Sequence, residues 1–293
     1  MLFRFLILTH NRPASVLALV GNIRRLEKPP AARLEIIIWD NGSKARAQEQ
    51  VYRAVGSDPE VHYIRATTNT FMQGKWHLEN RAFHNWNGEC DSFLVHLDDD
   101  VQLADEWLVH AWKAVERYGW IACGSVVAAG GRFRLSGQRE LRISIEKLSG
   151  GAVSVWDWEP HFADQEGASQ VRFAGHRALL VRMTPVTSRH DPHLLIGGED
   201  LDYSLTLQRN GGIIGIDSKC RTIHRAFREG EVPGFRTRER VAESWRHFYG
   251  KWGFVRRSAC LEAGMTEQEW LNLFSGMPTT ESHAAGNRGE DPF

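Results

Sequence analysis

The chain has 293 residues and a formal net charge of zero, with 36 basic and 36 acidic side chains. Hydrophobic residues make up 42% and charged residues 25%, an ordinary globular composition that excludes a largely disordered chain. The charge balance argues against a generally basic nucleic-acid binder. The sequence also lacks a run of about 18 apolar residues that would predict a membrane span. The length predicts one large domain or two small ones.

The amino terminus and the cysteines bear on the compartment. The apolar start, residues 1–8, is too short and too interrupted for a signal peptide. The four cysteines lack metal-clip or redox spacing and lie in or near apolar stretches, which is typical of buried free thiols. They are Cys90, Cys123, Cys220 and Cys260. We therefore expect a cytoplasmic protein.

Short apolar runs alternate with helical patterns through the first half of the chain. The predicted strands are residues 3–8, 34–39, 61–64, 93–97 and 120–128. The predicted helices are residues 13–26, 75–86 and 103–118. This alternation predicts an α/β fold with a mostly parallel sheet and helices on both faces.

The second half of the chain is less regular. Residues 129–170 read as an irregular insertion because they combine paired glycines with a polar mixture. The expected elements further along are a strand at 171–181, a helix at 200–208 and a short strand at 213–216. A capping box at residues 266–269 predicts a final helix, and a loose tail is expected from about residue 275.

Polar motifs follow three predicted strands at their carboxyl ends, where α/β sheets bind ligands. They are Thr9-His10-Asn11-Arg12, Asp40-Asn41-Gly42-Ser43 and Asp98-Asp99-Asp100. Three adjacent carboxylates repel one another unless a cation or hydrogen-bond donors compensate them, and oxygen ligands suit Mg²⁺ or Mn²⁺. Such an ion would also neutralise a bound diphosphate. The alternatives are a solvated acidic turn for the triad and a turn or cap role for Asp40.

A further acidic motif, Gly197-Gly198-Glu199-Asp200-Leu201-Asp202, stands at a predicted helix start. The glycines let the backbone approach a ligand closely, and the helix N-terminus stabilises ionised carboxylates. A carboxylate there can take a proton from an acceptor hydroxyl as a general base. Ordinary first-turn acids are the alternative. His224, after the last short strand, could add an imidazole to a metal site, although a lone histidine there is usually structural.

The order and spacing of these motifs resemble family 2 glycosyltransferases of the GT-A fold over roughly residues 1–225. The resemblance rests on residues 5–13, 38–43, 97–100 and 198–202. It implies a nucleotide-sugar-binding catalytic domain over 1–225. Residues 226–275 would then be a basic and aromatic lid with a helical extension, and residues 276–293 a flexible tail.

The resemblance also implies a role for each matching position. Asp98 and Asp100 correspond to the outer carboxylates of the family's D-x-D motif and, with His224, would hold Mn²⁺ or Mg²⁺. Asp200 corresponds to the catalytic base, with Glu199 beside the acceptor. Asp40 would bind the nucleotide base, commonly uracil. The implied nucleotide-sugar pocket contains Thr9, Asn11, Arg12, Asp40, Asn41, Gly74, Lys75, Asp98 and Asp99.

The implied reaction is a metal-dependent, inverting sugar transfer from a nucleotide donor, with UDP the expected nucleotide. The metal and nearby cations would stabilise the departing diphosphate while Asp200 deprotonates the acceptor hydroxyl. A nucleotidyltransferase is the first alternative, although that class has little need for a carboxylate base beside an acceptor. A catalytically silent nucleotide-sugar-binding module is the second, and the retention of every expected acidic position argues against it.

The acceptor is left open by the sequence: a glycan, a lipid-linked sugar, a peptide, a small molecule or modified nucleic acid. Trp156 and Trp158 would share one face of an extended segment, where indoles can pack on sugar rings. The favoured alternative is that both anchor the insertion. Gly198 and Glu199 complete the expected acceptor site. The His190 to His193 segment is interpreted as a loop before the glycines rather than as a metal pair.

Residues 221–257 contain ten Lys or Arg and four Glu, a net charge of +6 (10 − 4). Aromatic residues are interspersed among these charges. A solvated helix face is the plainest interpretation. Of two functional ones, a mobile lid that contacts the diphosphate is favoured over a surface for an anionic acceptor such as nucleic acid.

Overall fold

A computed structural model describes residues 1–84, 86, 88, 91–129, 132–159, 167–224 and 236–277. Its strands are β1 Leu2–Thr9, β2 Arg33–Asp40, β3 Val61–Arg65, β4 Ser92–Asp98, β5 Val101–Leu103, β6 Ala122–Ala129, β7 Arg132–Leu135, β8 Gly137–Gln138, β9 Ile143–Leu148, β10 Gly151–Trp156, β11 Ala168–Val171, β12 Phe173–Ala174, β13 Ala178–Arg182, β14 Ile214–His224 and β15 Val255–Arg256. Its helices are α1 Pro13–Arg25, α2 Ala45–Val55, α3 Gln73–His84, α4 Trp107–Tyr118, α5 Glu199–Arg209, α6 Arg238–Trp252, α7 Ala259–Glu262 and α8 Glu267–Asn272.

The main sheet has the strand order β11-β14-β6-β13-β4-β1-β2-β3, with β5 added to β14 and β7 to β6. The pairs β1–β2, β1–β4, β2–β3 and β6–β14 are parallel. Strand β13 runs antiparallel to both of its neighbours, β4 and β6. The predicted α/β class with a mostly parallel central sheet is therefore confirmed.

Helices cover both faces of this sheet, and successive residues of each strand alternate between the two faces. Phe5 of β1 packs in a core that also contains residues of α1, α2 and α4. Its neighbour Leu6 packs in a second core with residues of α3 and α5. Because both faces are buried, the central strands are nearly continuous apolar runs, which is the pattern that made them predictable.

The register of the parallel strands determines where the polar strand ends lie. Thr9 at the end of β1 is opposite Asp40 at the end of β2. Leu8 is opposite Asp98 at the end of β4. Three motifs that are far apart in sequence therefore meet at one edge of the sheet.

A third core joins the C-terminal helices to the preceding part of the chain. It contains Trp245 and Phe248 of α6, Trp270 of α8, Val155 of β10 and Leu201 of α5. The predicted boundary at residue 225 does not separate two hydrophobic cores. The extension instead packs directly against the helix that begins at Glu199.

The prediction of an irregular insertion at 129–170 was wrong. Strands β9 and β10 pair antiparallel as a hairpin, and β15 pairs with β10 to complete a three-stranded sheet. Apolar and polar residues alternate in β9 only from Ile143 to Glu146, and Lys147 and Leu148 then end the alternation, so its strand pattern was too short to be distinctive. The predicted strand at 171–181 is interrupted at residues 175–177, which separate β12 from β13. Helix α2 had not been predicted.

Cys123, Cys220 and Cys260 are buried free thiols, as predicted. Cys90 and residues 278–293 of the predicted tail lie outside the described residues. The capping box at Thr266 is present, with Thr266 and Glu269 bonding reciprocally. Of the helices that the structure describes, none is long and apolar enough to cross a bilayer.

Candidate active site

The Asp98–Asp100 triad lies where β4 ends, and its three carboxylates have different partners. Asp99 accepts a hydrogen bond from Thr9 Oγ1 at 2.7 Å and pairs with Arg12 Nη1 at 2.8 Å. The same Arg12 nitrogen lies 3.0 Å from Asp100 Oδ2. Near the end of β1, Arg12 therefore supplies a positive charge and Thr9 a hydrogen-bond donor that together compensate part of the negative charge of the triad.

Asp98, Asp100 and His224 place one ligand atom each within 4.8 Å of one another. His224 reaches this position because β14 pairs antiparallel with β5, which puts His224 opposite Val101, the residue after Asp100. Asp100 Oδ1 lies 3.2 Å from His224 Nε2 yet makes no hydrogen bond, although it is buried. Two carboxylates, one imidazole and a buried unsatisfied oxygen form a donor set that fits Mn²⁺ or Mg²⁺.

The burial of the triad separates the pKa values of its carboxyl groups. Burial raises the pKa of Asp99 to about 7 despite its contacts with Arg12 and Thr9. Burial also raises the pKa of Asp98. For Asp100, burial is outweighed by His224 and Arg12, so its pKa is lowered. Asp100 is thus the carboxylate best prepared to bind a cation in ionised form.

Asp40 is buried at the end of β2 and is held by two donors. Its Oδ1 accepts the Ser43 N–H at 2.9 Å, and its Oδ2 accepts the Tyr63 hydroxyl at 2.5 Å. Burial and the bond to Asp40 raise the pKa of Tyr63, so the phenol remains a donor. Tyr63 was not predicted as part of the site, because nothing in its sequence context marks it.

The other predicted nucleotide-binding residues play different local roles. Asn41 uses its amide to hold the loop at 69–71, through Asn69, Thr70 and the Phe71 carbonyl. Asn11 has a φ of +56° and bonds Lys44 N–H through its side chain. At Gly74 a Cβ atom would lie 2.3 Å from Leu8 Cδ1, so this glycine permits α3 to pack against β1.

Asp200, in the first turn of α5, is bound through both carboxylate oxygens. Its Oδ1 lies 3.1 Å from Lys75 Nζ and 3.1 Å from His176 Nδ1. Its Oδ2 accepts the His176 backbone N–H at 3.1 Å. Although burial opposes ionisation, Lys75 and His176 hold the pKa of Asp200 below its usual range. The structure thus places Lys75 beside Asp200.

Glu199 and Gly198 precede Asp200 at the same helix end. Gly197 and Gly198 have φ values of +83° and +84°, a conformation that side-chain-bearing residues rarely adopt, and this explains the paired glycines. Burial and the neighbouring Asp200 raise the pKa of Glu199 to about 7. The two adjacent acids therefore differ in protonation: near neutral pH Asp200 is ionised, whereas Glu199 is only partly ionised.

Lys75 joins the two acidic groups. Burial opposes its charge, but Asp200, Asp98 and Glu199 together raise the pKa of Lys75 above its usual value. Its ammonium therefore interacts with a carboxylate of the triad at β4 and with both acids at the start of α5. The two parts of the predicted site form one electrostatic unit.

The two tryptophans predicted to contact an acceptor differ in their exposure to solvent. Trp156 is 1% exposed and donates through Nε1 to Gln138 Oε1 at 3.1 Å. Its burial counts against sugar stacking and supports the anchoring alternative. Trp158 is partly exposed, and its ring lies edge-on to Trp156 at 5.8 Å.

The aromatic residues of the basic segment are also buried. Trp245, Phe248, Tyr249 and Trp252 of α6 are at most 2% exposed, so they are unavailable for stacking on nucleic-acid bases. This burial contradicts the interpretation of these aromatics as a nucleic-acid surface. Residues 225–235, on which the lid prediction largely depends, lie outside the described residues.

A buried set of polar residues behind Asp200 had not been predicted as part of the site. It comprises Glu79 of α3, His96 of β4, His176, His190 and Tyr203 of α5. Both ring nitrogens of His190 have partners in this set, because Nδ1 lies 2.9 Å from Glu79 Oε1 and Nε2 lies 2.8 Å from His176 Nδ1. These residues come from distant elements, and isolated histidines in apolar surroundings carry no motif.

Comparisons with known proteins agree with this geometry. The sequence profile of Glycosyl transferase family 2 matches residues 5–174. A search of curated protein sequences finds no significant match.

Similar solved structures include GalNAc-T7 with UDP, GalNAc and Mn²⁺, at 14% identity and a TM-score of 0.58, covering 94% of this chain and 54% of that one. A mannosyltransferase from Pyrobaculum calidifontis, solved with GDP-Man and Mn²⁺, has 14% identity and a TM-score of 0.57, covering 97% and 77%. Residues 1–349 of S. aureus TarS have 14% identity and a TM-score of 0.54, covering 99% and 76%. The chain spans about half the length of GalNAc-T7, and identities at this level show the shared fold.

A mostly parallel α/β sheet with acidic strand ends at one edge defines the GT-A class of glycosyltransferases, and the similar structures share that fold. The chain belongs to glycosyl transferase family 2. It is a glycosyltransferase enzyme.

Proposed function

We propose that the protein is a metal-dependent, inverting glycosyltransferase that moves a sugar from a nucleotide donor, UDP in the first instance, to an acceptor hydroxyl. The observation that supports this proposal is the environment of Asp200. Asp200 is ionised and lies at the N-terminus of α5, and Lys75 interacts with both Asp200 and the Asp98 carboxylate. A base and a candidate cation site thus flank one buried ammonium.

Asp98, Asp100 and His224 would hold Mn²⁺ or Mg²⁺, which would neutralise charge on the diphosphate of a bound donor. Two of the similar structures contain Mn²⁺, which supports this choice. Arg12 adds a cation beside Asp100. Thr9 and Asp40 lie at the adjoining strand ends, where a nucleotide would bind in an open α/β sheet, and Tyr63 of β3 donates to Asp40.

In the proposed reaction, Asp200 accepts the proton of the acceptor hydroxyl. The acceptor oxygen forms a bond to the anomeric carbon from the face opposite the leaving group, and the bond from that carbon to the diphosphate oxygen breaks. The electron pair leaves with the diphosphate. A single displacement of this kind inverts the anomeric configuration.

We further propose catalytic residues within 1–225 and acceptor contacts near Gly198, Glu199 and Trp158. The aromatic core of α6 supports this placement, because Phe248 lies against Gly198: a Cβ atom there would be 3.3 Å from its ring. Arg236 supports a basic contribution from the C-terminal segment, since its charge lowers the pKa of Glu199 against the effect of burial.

Incubation with a panel of nucleotide sugars and Mn²⁺, scored for release of nucleoside diphosphate, tests the proposal. We expect hydrolysis of one UDP-sugar in preference to the others. Exchange of labelled pyrophosphate into a nucleotide sugar would instead identify a nucleotidyltransferase. Binding without turnover, with candidate acceptors present, would identify a silent binding module.

A further inference from the structure

Three imidazoles and one carboxylate lie behind Asp200, away from the proposed metal residues. Glu79 and His176 are 0% exposed, His190 2% and His96 3%. Burial lowers the pKa of His96 to about 3, and it also lowers the pKa values of His176 and His190, so the rings are neutral. Because buried polar side chains are normally hydrogen-bonded, these four side chains should find their partners within the core.

Three of these residues form a continuous series of contacts, which we call the buried histidine array (Glu79, His190 and His176). Glu79 Oε2 accepts the His190 backbone N–H at 2.6 Å, and Glu79 Oε1 lies 2.9 Å from His190 Nδ1. His190 Nε2 lies 2.8 Å from His176 Nδ1. His176 Nδ1 then lies 3.1 Å from Asp200 Oδ1. The array therefore ends at the proposed base.

The positions of the protons follow from these contacts. Burial raises the pKa of Glu79 to about 7, so at pH 8 Glu79 is ionised and only accepts, and His190 then carries its proton on Nδ1. His190 Nε2 is then an acceptor, and the proton between the rings belongs to His176 Nδ1. His176 Nε2 is left bare, and it is the buried nitrogen of this ring that has no hydrogen-bond partner. The opposite tautomer would bury an unsatisfied N–H there and remove the Nδ1 proton that lies beside Asp200.

We propose that Glu79, His190 and His176 are positioning residues that fix the Nδ1–H tautomer of His176 and thereby hold Asp200 oriented and ionised. The proposal rests on the proposed function only in taking Asp200 as the base. His176 donates its backbone N–H to Asp200 Oδ2, whereas its ring N–H is directed to His190 Nε2 and places only the positive end of its dipole 3.1 Å from Asp200 Oδ1. Glu79 acts only through the two histidines, so its effect on Asp200 is a tautomer effect.

Other groups also face Asp200 and are unchanged by the tautomer. Lys75 approaches from α3, Glu199 adjoins it on α5, and Asp98 and His96 act on it from β4. Lys75 contributes a full positive charge, whereas the His176 N–H contributes a dipole. The array therefore has a smaller effect on the ionisation of Asp200 than Lys75 has.

The first test observes the tautomers directly. Selective ¹⁵N labelling of the 13 histidines, with two-bond ¹⁵N–¹H correlation, distinguishes Nδ1–H from Nε2–H rings. Spectra of His176→Asn and His190→Asn assign the two signals. We expect both His176 and His190 to be Nδ1–H in the unmodified protein, whereas either ring in the Nε2–H form would overturn the proposal.

The variant Glu79→Gln tests the cause of this arrangement. The amide oxygen must face the His190 backbone N–H, so the amide nitrogen faces His190 Nδ1 and makes it an acceptor. Both rings should then change to Nε2–H. Retention of Nδ1–H in a folded Glu79→Gln protein would contradict the proposal. Asp202→Asn is the matched control: Asp202 lies on α5, bonds Trp252 and Lys251 rather than the array, and its replacement should leave both tautomers unchanged.

The second test measures donor hydrolysis against pH. Glu79→Gln should move the acidic limb of kcat/KM to higher pH and lower kcat by about ten- to a hundredfold with little change in KM. In a His176→Ala background, Glu79→Gln should have no further effect on kcat. His176→Asn keeps a donor near the position of Nδ1 and should therefore lose less activity than His176→Ala. An additive double variant would overturn the proposal. Full activity of Asp200→Asn would instead refute the base assignment and leave the tautomer result standing.

Discussion

Lys75 Nζ lies 3.1 Å from Asp200 Oδ1, with side-chain exposures of 8% and 29%. This ion pair lowers the pKa of the proposed base against the opposing effect of burial. A base must be ionised to act, so activity should rise as pH passes upward through the pKa of Asp200. Lys75 is thus the largest charged determinant of where that rise occurs.

Lys75→Met should therefore raise the pKa of Asp200 and move the acidic limb of kcat/KM toward neutral pH. Each unit of upward shift lowers the ionised fraction about tenfold below that pKa. Lys75→Arg keeps the charge and serves as the control, with a smaller shift expected. An unchanged acidic limb in Lys75→Met would show that the ion pair does not set the ionisation of the base.

Asp200→Asn should lower turnover by about 10²–10⁴-fold, the usual contribution of a general base, with nucleotide-sugar affinity retained. Asp202→Asn is the matched control on the same helix. Asp202 is buried and accepts from Trp252 Nε1 at 2.7 Å and pairs with Lys251 at 2.6 Å, so its role is structural. We expect it to lose about 1–3 kcal/mol of stability while turnover is maintained. Comparable turnover in the two variants would remove Asp200 from the base role.

Asp100→Ala should weaken Mn²⁺ binding by at least about tenfold, because it removes the ionised carboxylate of the candidate cation site. Isothermal titration calorimetry with MnCl₂ measures this without any substrate. His224→Ala should weaken binding in the same direction. Asp105→Ala, an exposed aspartate five positions along, is the control. Equal affinities in Asp100→Ala and Asp105→Ala would place the metal elsewhere.

Asp99 should make the metal-free protein less stable as pH rises. Burial raises the pKa of Asp99 to about 7 in the folded state, above its value of 3.8 in an unfolded chain. In that window the folded state retains a proton that the unfolded state has released, so the free energy of unfolding falls with pH by up to about 1.4 kcal/mol per unit.

Asp99→Asn should remove this slope, and the stability of the variant relative to the unmodified protein should improve from about pH 4 to pH 7. Urea unfolding at each pH, in the presence of a chelator, measures the difference. A relative stability that stays flat over that window would mean that Asp99 is ionised in the folded state, through its contacts with Arg12 and Thr9.

Trp156→Ala should cost about 3–5 kcal/mol of stability, as expected for deletion of a fully buried indole. Trp158→Ala removes the partly exposed neighbour. It should cost less stability and raise the KM for the acceptor while the KM for the donor stays the same. Urea unfolding and acceptor titration separate the two effects. An acceptor KM that responds to neither substitution would exclude this aromatic pair from the acceptor site.

The elements that could be predicted from the sequence are those with strong local patterns. The buried strands at Leu2–Thr9, Arg33–Asp40 and Ser92–Asp98 are apolar runs with polar residues immediately after them. Their order along the chain was enough to expect a parallel sheet with acidic groups at its carboxyl edge. The hairpin at 143–156 was not predicted because its outer strand is largely exposed and alternates apolar and polar residues over only four positions.

The amino-acid sequence by itself determined the fold class, the acidic residues and their placement at strand and helix ends, because periodicity and chain order are local properties. Only the tertiary structure decided which side chains meet. It paired Lys75 with Asp200, buried Trp156 and the aromatic residues of α6, and gathered Glu79, His176 and His190 behind the base. Those contacts depend on strand register and helix packing and leave no periodic signal in the sequence; the Lys75–Asp200 and Glu79–His190 contacts join residues more than a hundred positions apart.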